Sequence, residues 1–277
     1  MNKNRLGALQ VAAAAVSWSF AGVLGKSLPW NSFTINGMRS LVAALLLALA
    51  RGTPKVRLTR GTLLGALGVA LTSVLFMAAT KLTSSANAIV LQYAMPVFVI
   101  LFSWLFFGQK PSPRHLVIAA FIMAGVILCS WDGLTGGNPL GDGLAILSAV
   151  TFSLVFFCAR MPGADPRDYS YLGMVLCAPF ALNAFFDPAV SLRQPLHWLI
   201  ALGLGVCLAG GYFFISKSMS NVSPISAALL ANLEPILNPV WVFLFLGEQP
   251  GALTLLGSAI VLVTATVYSL LPAREGD

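Results

Sequence analysis

The sequence predicts an all-α integral membrane protein of ten transmembrane helices, arranged as two inverted five-helix repeats. Three observations lead there. First, 58% of the 277 residues are hydrophobic and only 9% charged, with a mean hydropathy of +0.86; soluble domains carry roughly 25% charged residues. Second, apolar runs of about 17 to 25 residues, each sufficient to cross a hydrocarbon core as a helix, recur along the chain and leave no room for a soluble domain. Third, the halves repeat. Gly7 precedes Trp18 by 11 residues as Gly141 precedes Phe152, Asn36-Gly-Met-Arg39 is matched by Leu172-Gly-Met-Val175, and Phe107-Gly-Gln-Lys-Pro111 by Leu246-Gly-Glu-Gln-Pro250. Five spans is an odd number, so the second repeat must enter the membrane upside down relative to the first. That is the architecture of alternating access, with a site at the midplane.

The first repeat, residues 1–131, holds spans at roughly 6–27, 33–50, 61–80, 85–107 and 114–131. Lys3 and Arg5 ahead of the apolar run Leu6 to Leu24 imitate a secretory signal, but the run is longer than a signal core and has a later counterpart, so it is read as a helix. Residues 132–142 form a periplasmic linker, because glycines and a proline there cannot continue a helix. The second repeat, residues 143–277, holds spans at roughly 143–160, 169–186, 196–217, 224–246 and 251–271. Gly61, Gly65 and Gly68 in the third span, and Gly203, Gly205, Gly210 and Gly211 in the eighth, allow neighbouring helices to approach closely.

With the N-terminus inside, 12 of the 16 Lys and Arg fall on the cytoplasmic side and three, Lys26, Lys81 and Arg193, on the other, with Arg39 inside a span. The positive-inside rule then places both termini in the cytoplasm. The net charge of +7 is scattered over short connections rather than gathered on a face, which argues against a nucleic-acid partner. Cys129, Cys158, Cys177 and Cys207 sit in apolar runs without CxxC or zinc spacing and read as small buried hydrophobes. His115 and His197 fall near helix ends as interfacial residues. No phosphate-binding loop, HExxH or Ser-His-Asp set can be assembled, so neither an ATP-driven pump nor an enzyme is expected, and no cofactor or metal.

The chemistry gathers in the ninth span, at Ala231-Asn-Leu-Glu-Pro-Ile-Leu-Asn-Pro-Val-Trp241. Pro235 removes a backbone donor and its ring pushes on the carbonyl of Ala231, and Pro239 does the same to residue 235, so kinks near mid-bilayer are expected. Pro96 likewise frees the carbonyl of Gln92 in the fourth span; it stands 12 residues before Gly108, as Pro235 stands 12 before Gly247. Freed carbonyls at membrane depth need water, side chains or substrate as partners; a plain packing kink is the alternative. A bare charge near the centre of a span costs roughly 2.5–3.5 kcal/mol, so Glu234 must be neutral, paired or facing water. It reads as a proton acceptor or the counter-ion of a substrate amine, or else as a structural hydrogen-bond hub. Asn238 and Trp241, one and two turns on, share its face. Arg39 has three open roles: binding a substrate carboxylate, neutralising Glu234, or snorkelling outward. Trp18 and Tyr93 are the deepest aromatics. The candidate substrate-binding set is therefore Trp18, Tyr93, Tyr212, Glu234, Asn238 and Trp241, with Glu234 and Arg39 as candidates for proton or charge coupling.

In order, spacing and duplication, the Gly7 to Trp18 opening, Phe33-Thr-Ile-Asn-Gly-Met-Arg39, Pro96 with Gly108, and Leu233-Glu-Pro235 with Gly247-Glu248 resemble the ten-helix EamA-type transporters of the drug/metabolite transporter superfamily, over essentially the full length. The resemblance implies a multi-pass secondary transporter of the bacterial inner membrane, most often exporting small metabolites such as amino acids. It also implies a central cavity lined by spans one, three, four, six, eight and nine, with spans five and ten peripheral. The chain departs from the pattern where Met95 stands opposite Glu234 and Gln109 opposite a frequent Glu, so the carboxylate belongs to one repeat only. Expected partners are a small-molecule substrate and membrane lipid, with monomer and homodimer both open. Two other readings stand beside export. One is a carrier of organic or quaternary cations, with Trp18, Tyr93, Tyr212 and Trp241 as an aromatic cage and Glu234 as counter-ion. The other is a non-transporting membrane binder or scaffold.

Overall fold

Capping residues set where the helices begin. In the computed structural model, which describes residues 3–53, 55–83, 85–129, 131, 138–246 and 252–270, α1 (Lys3–Lys26) leads into α2 (Ser32–Arg51). The Asn31 side chain accepts the Thr34 N–H at 2.8 Å, satisfying one of the orphan donors of the first turn of α2. The same helix stops at Gly52, whose φ of 65° suits a residue without a Cβ. Thr59 caps α3 (Arg60–Leu82) in the same way. Then come α4 (Ser85–Gln92), α5 (Met95–Phe107), α6 (Pro113–Cys129) and α7 (Pro139–Phe157), the last ending in a 3-10 turn at Cys158–Arg160. Asp165 caps α8 (Pro166–Cys177), which runs into a 3-10 stretch, Ala178–Phe185. The remaining helices are α9 (Pro195–Ser218), α10 (Pro224–Ala231), α11 (Glu234–Leu246) and α12 (Ala252–Leu270).

Five helical segments, those of α1, α2, α3, α7 and α9, are long and apolar enough to cross a membrane, and shorter apolar helices accompany them. Large apolar side chains stand outward on them: Leu49 is 79% exposed, Phe106 70% and Leu199 64%. In water such a surface would aggregate; in lipid it is solvated. The chain is an all-α, multi-pass membrane protein.

Three expectations need correcting. The fourth and ninth spans are not kinked helices but pairs of helices, α4 with α5 and α10 with α11, interrupted at residues 93–94 and 232–233. Pro96 and Pro235 each stand second in the new helix, where a missing N–H costs nothing. Pro239 falls inside α11, which continues past it to Leu246. The seventh span is α-helical only to Cys177, because Pro179 cannot donate to the carbonyl of Val175. The tighter 3-10 stretch presses backbone against α2: a Cβ on Gly37 would lie 1.9 Å from Ala181 N. Finally, the linker stops short of residue 142, because Asn138 caps α7 and Pro139 opens it. His115, near the start of α6, is 1% exposed, with its Nδ1 3.0 Å from the Ser112 hydroxyl.

The packing partners pair off. α1 lies on α9 and α3 on α7; α2 lies on α9 and α3 on α8; α4 and α5 lie on α7, and α10 and α11 on α1; α6 lies on α12, away from the centre. The main buried cluster runs through the middle and includes Trp18, Tyr93, Met95, Phe152, Tyr212 and Ile236.

Candidate functional site

The two helix breaks face each other across the centre of the bundle. At the second break the Asn232 side-chain amide donates to the Ala228 carbonyl at 3.0 Å, and the backbone continues by 3-10-type bonds, three residues back rather than four, from Asn232 to Leu229 and from Leu233 to Leu230. Glu234 therefore opens a new helix rather than lying inside an old one. Its Oε2 accepts the hydroxyl of Tyr93, which stands at the first break and is fully buried. The carboxylate is 7% exposed. A buried carboxylate with one hydrogen bond from a neutral donor is short of partners.

Around this pair lies a cavity of about 50 Å³, lined by Trp18 and Ala21 of α1, Arg39 of α2, Thr72, Ser73 and Phe76 of α3, Gln92 of α4, Phe152 of α7, Leu208 and Tyr212 of α9, and Glu234 of α11. That is room for a few water molecules and well below the roughly 300 Å³ at which pockets hold drug-sized ligands. Trp18 sits edge-on to both Tyr212 and Phe152, with ring centroids at 5.3 and 5.6 Å. Trp18 and Phe152 are the residues matched between the sequence repeats, and they meet at the cavity wall. Gly211 makes space for the indole: a Cβ there would lie 2.0 Å from Trp18 Nε1. Of the other glycines expected to allow close approach, Gly205 is needed, its added Cβ lying 2.4 Å from Val42 Cβ, while Gly203 would make only an ordinary contact at 3.8 Å.

Arg39 is 3% exposed and does not snorkel. Its Nη2 donates to Asn36 Oδ1 and to both the hydroxyl and the carbonyl of Ser73. Among the described residues it forms no ion pair with Glu234, although both line the cavity.

The structure thus brings Trp18, Tyr212, Arg39 and Glu234 to one cavity and places Tyr93 directly behind the carboxylate. Trp241 is elsewhere: its indole N–H donates to Ser19 Oγ at 2.7 Å and its ring stacks on Phe20 at 4.5 Å. The side chains of Asn238 and Pro239 lie outside the described residues, as does that of Cys129. Cys158 and Cys177 are buried free thiols, and Cys207 is half-buried. Gln92, Thr72, Ser73 and Phe152 are additions to the candidate set. Thr72-Ser73 could have been noticed as a polar pair in the apolar third span, and Phe152 as the repeat partner of Trp18.

Both ends of the seam that α2 makes with α8 and the 3-10 stretch are tied. At one end Arg51 pairs with Asp168 at 2.7 Å; at the other Asp187 accepts the Asn31 N–H at 2.8 Å.

The family model described as the EamA-like transporter family matches the chain twice, at residues 5–131 and 139–270. Among curated proteins, the pseudopaline exporter CntI of Pseudomonas aeruginosa (strain PAO1) is 26% identical over 190 residues. That match spans 66% of this chain and 66% of CntI, just under two thirds of the relative's own length. The uncharacterized inner membrane transporter YedA of Escherichia coli K12 is 27% identical over 273 residues, covering 88% of this chain and 85% of YedA. A solved crystal structure superposes with a TM-score of 0.75 at 20% identity, over 95% of this chain and 96% of that one. At that identity the likeness concerns the fold alone.

Proposed function

Because the chain belongs to the EamA-like transporter family, we propose that it is a secondary active transporter. It exports small metabolites such as amino acids across a bacterial inner membrane by alternating access, with both termini cytoplasmic. Ten transmembrane helices form two inverted repeats, residues 1–131 and 139–277, joined by a short periplasmic linker that ends where α7 begins at Pro139. Two matches to one family model support the duplication. So does the packing: exchanging the two halves turns α1 on α9 into α7 on α3, α2 on α9 into α8 on α3, and the pair α10 and α11 on α1 into α4 and α5 on α7.

The observation that carries this reading is the cavity itself, small, charged and aromatic-walled, set at two matched helix breaks between the halves. Broken helices at a repeat interface are where substrate sites of secondary transporters lie. In the present conformation the ties at Arg51–Asp168 and Asn31–Asp187 hold both ends of one seam. Export then alternates between breaking one tie and the other. Glu234 supplies a proton or charge site within the path.

Counterflow into liposomes loaded with a mixture of unlabelled amino acids tests this. Accumulation of labelled amino acid is expected, with Glu234→Gln changing its dependence on pH; absence of flux under every gradient would favour a non-transporting scaffold. The aromatic-cage reading for a lone cation is weaker, since only Trp18 and Tyr212 of the four expected rings line the cavity and Arg39 lines it as well.

A further inference from the structure

Arg39 spends its protein hydrogen bonds on one nitrogen. Nη2 reaches Asn36 Oδ1 at 3.2 Å, the Ser73 carbonyl at 3.2 Å and Ser73 Oγ at 2.9 Å, and Ser73 Oγ in turn donates to Asn36 Oδ1 at 2.7 Å. That brace fixes the guanidinium plane. Nε, by contrast, is buried without any partner. A guanidinium offers five donors and no acceptor, and a buried charged donor left unmatched is costly. What would complete it is an acceptor-only anion such as a carboxylate, one oxygen of which meets the open Nε–H.

Glu234 presents the opposite need in the same cavity: an acceptor-only group, 7% exposed, with the Tyr93 hydroxyl on one oxygen. The two charges do not neutralise each other by contact. The repeats add an independent observation. Arg39 is matched by Val175 and Glu234 by Met95, so each repeat contributes one charge, of opposite sign, that the shared architecture does not require.

Resting on the transporter reading for what the site is used for, we infer that the cavity recognises a small zwitterion at two points, Arg39 taking its carboxylate and Glu234 its ammonium, with the Trp18 and Tyr212 rings against the carbon skeleton between them. A compound with only the ammonium leaves Arg39 uncompensated and brings a like charge near it; one with only the carboxylate does the same to Glu234. Discrimination comes from those penalties as much as from the contacts made.

The test uses matched trios on the purified full chain: L-alanine with ethylamine and propanoate, and L-phenylalanine with 2-phenylethylamine and 3-phenylpropanoate. Binding is read by calorimetry and by ligand-dependent melting. Either amino acid should bind at least about tenfold more tightly than its two analogues, the equivalent of one charge-assisted hydrogen bond. Arg39→Gln should erase the advantage over the amine, weakening the amino acid while the amine, freed of a like charge, binds no worse, and Glu234→Gln should erase the advantage over the acid. If Arg39→Gln does not fold, Arg39→Lys keeps the charge without the planar fork and should weaken the zwitterion and the acid but not the amine. Equal binding of the amine and the amino acid, equal weakening of all three ligands by the Arg39 variant that folds, or no binding of any zwitterion would overturn the inference. Counterflow separates the two claims: zwitterion binding without flux would remove the transporter reading and leave this one, whereas flux of the amine with the amino acid inert would do the reverse.

Discussion

Replacing Asp168 by asparagine asks how much of the α2–α8 seam is held by charge. Asp168 Oδ1 receives Arg51 Nε at 3.1 Å and Nη2 at 2.7 Å, and Oδ2 receives the Arg57 backbone N–H at 2.9 Å. The Arg51 and Asp168 side chains are 5% and 8% exposed, and the guanidinium also lies over the Tyr171 ring, 4.8 Å from its centroid. At that burial, losing one partner strands the other, at a cost of about 3–5 kcal/mol; an exposed pair would matter by at most about 1 kcal/mol. The Lys55 carbonyl, 2.7 Å from Arg51 Nη2, and the carbonyl end of α2 still offer the stranded cation some compensation, so the lower figure, about 3 kcal/mol, is expected. For a chain of this size each kcal/mol corresponds to roughly 2–4 °C, a fall on the order of 10 °C in detergent. Arg51→Met in the Asp168→Asn background should restore most of it, because the uncompensated charge is then gone. Thermal unfolding of the wild type, both single variants and the double variant closes the cycle. A loss below about 1 kcal/mol, or effects that add to within about 0.5 kcal/mol, would refute the reasoning.

Gly211→Ala should leave a folded protein with impaired counterflow, since the new Cβ, 2.0 Å from Trp18 Nε1, must drive the indole toward the cavity; Gly203→Ala, with its nearest contact at 3.8 Å, serves as the harmless control. Tyr93→Phe should destabilise by about 1–3 kcal/mol in denaturant unfolding, because it removes the hydroxyl that serves the buried Glu234 carboxylate. Asp165→Ala should cost about 1 kcal/mol near neutral pH through loss of the α8 cap, whose Oδ1 accepts the Arg167 N–H at 2.9 Å. Burial pushes the Asp165 carboxyl up, but hydrogen bonds from the Arg167 side chain and backbone, with the Arg167 and Arg51 charges, outweigh it and hold the group below its ordinary value. Its contribution is therefore complete above the unfolded carboxylate range, about 4, and is lost as pH falls through the lower folded value. The gap between wild type and variant should narrow in acid; a gap constant with pH would mean that the charge plays no part.

Membrane character and repeat landmarks were legible because hydropathy and spacing are properties of the chain itself. The cavity's composition was only half legible. Trp18, Tyr212 and Glu234 could be picked out as polar or aromatic residues deep in apolar spans, and they do meet. Trp241 was chosen because helical periodicity puts it on the face of Glu234, yet its indole meets Ser19 and Phe20. Periodicity fixes an angle around one helix, whereas the neighbour met at that angle changes along its length as α11 crosses α1. The helix breaks show a similar limit. Prolines announce that a helix is interrupted nearby, but a proline sits comfortably in the first turn, so the interruption falls ahead of Pro96 and Pro235. Arg39 was the least legible. Nothing in an apolar second span says whether a long cation turns outward to water or inward to Ser73, because that choice depends on the acceptors another helix supplies.

The placement of the two charges has a mechanical consequence. Arg39 is braced between α2 and α3 by Asn36 and Ser73, while Glu234 is the first residue after the break between α10 and α11. A ligand bridging them would tie the interrupted helix to a rigid pair on the other side of the cavity; a ligand holding one charge would not. The amides of Asn232, Leu233 and Leu237 around that break make long bonds of 3.2 to 3.4 Å and should exchange hydrogen readily in the empty carrier. A bound zwitterion should slow their exchange more than its amine or acid analogue does at equal occupancy. Equal protection by all three would mean that the break is stabilised by filling the cavity, and that the opposed charges do not act as a tether.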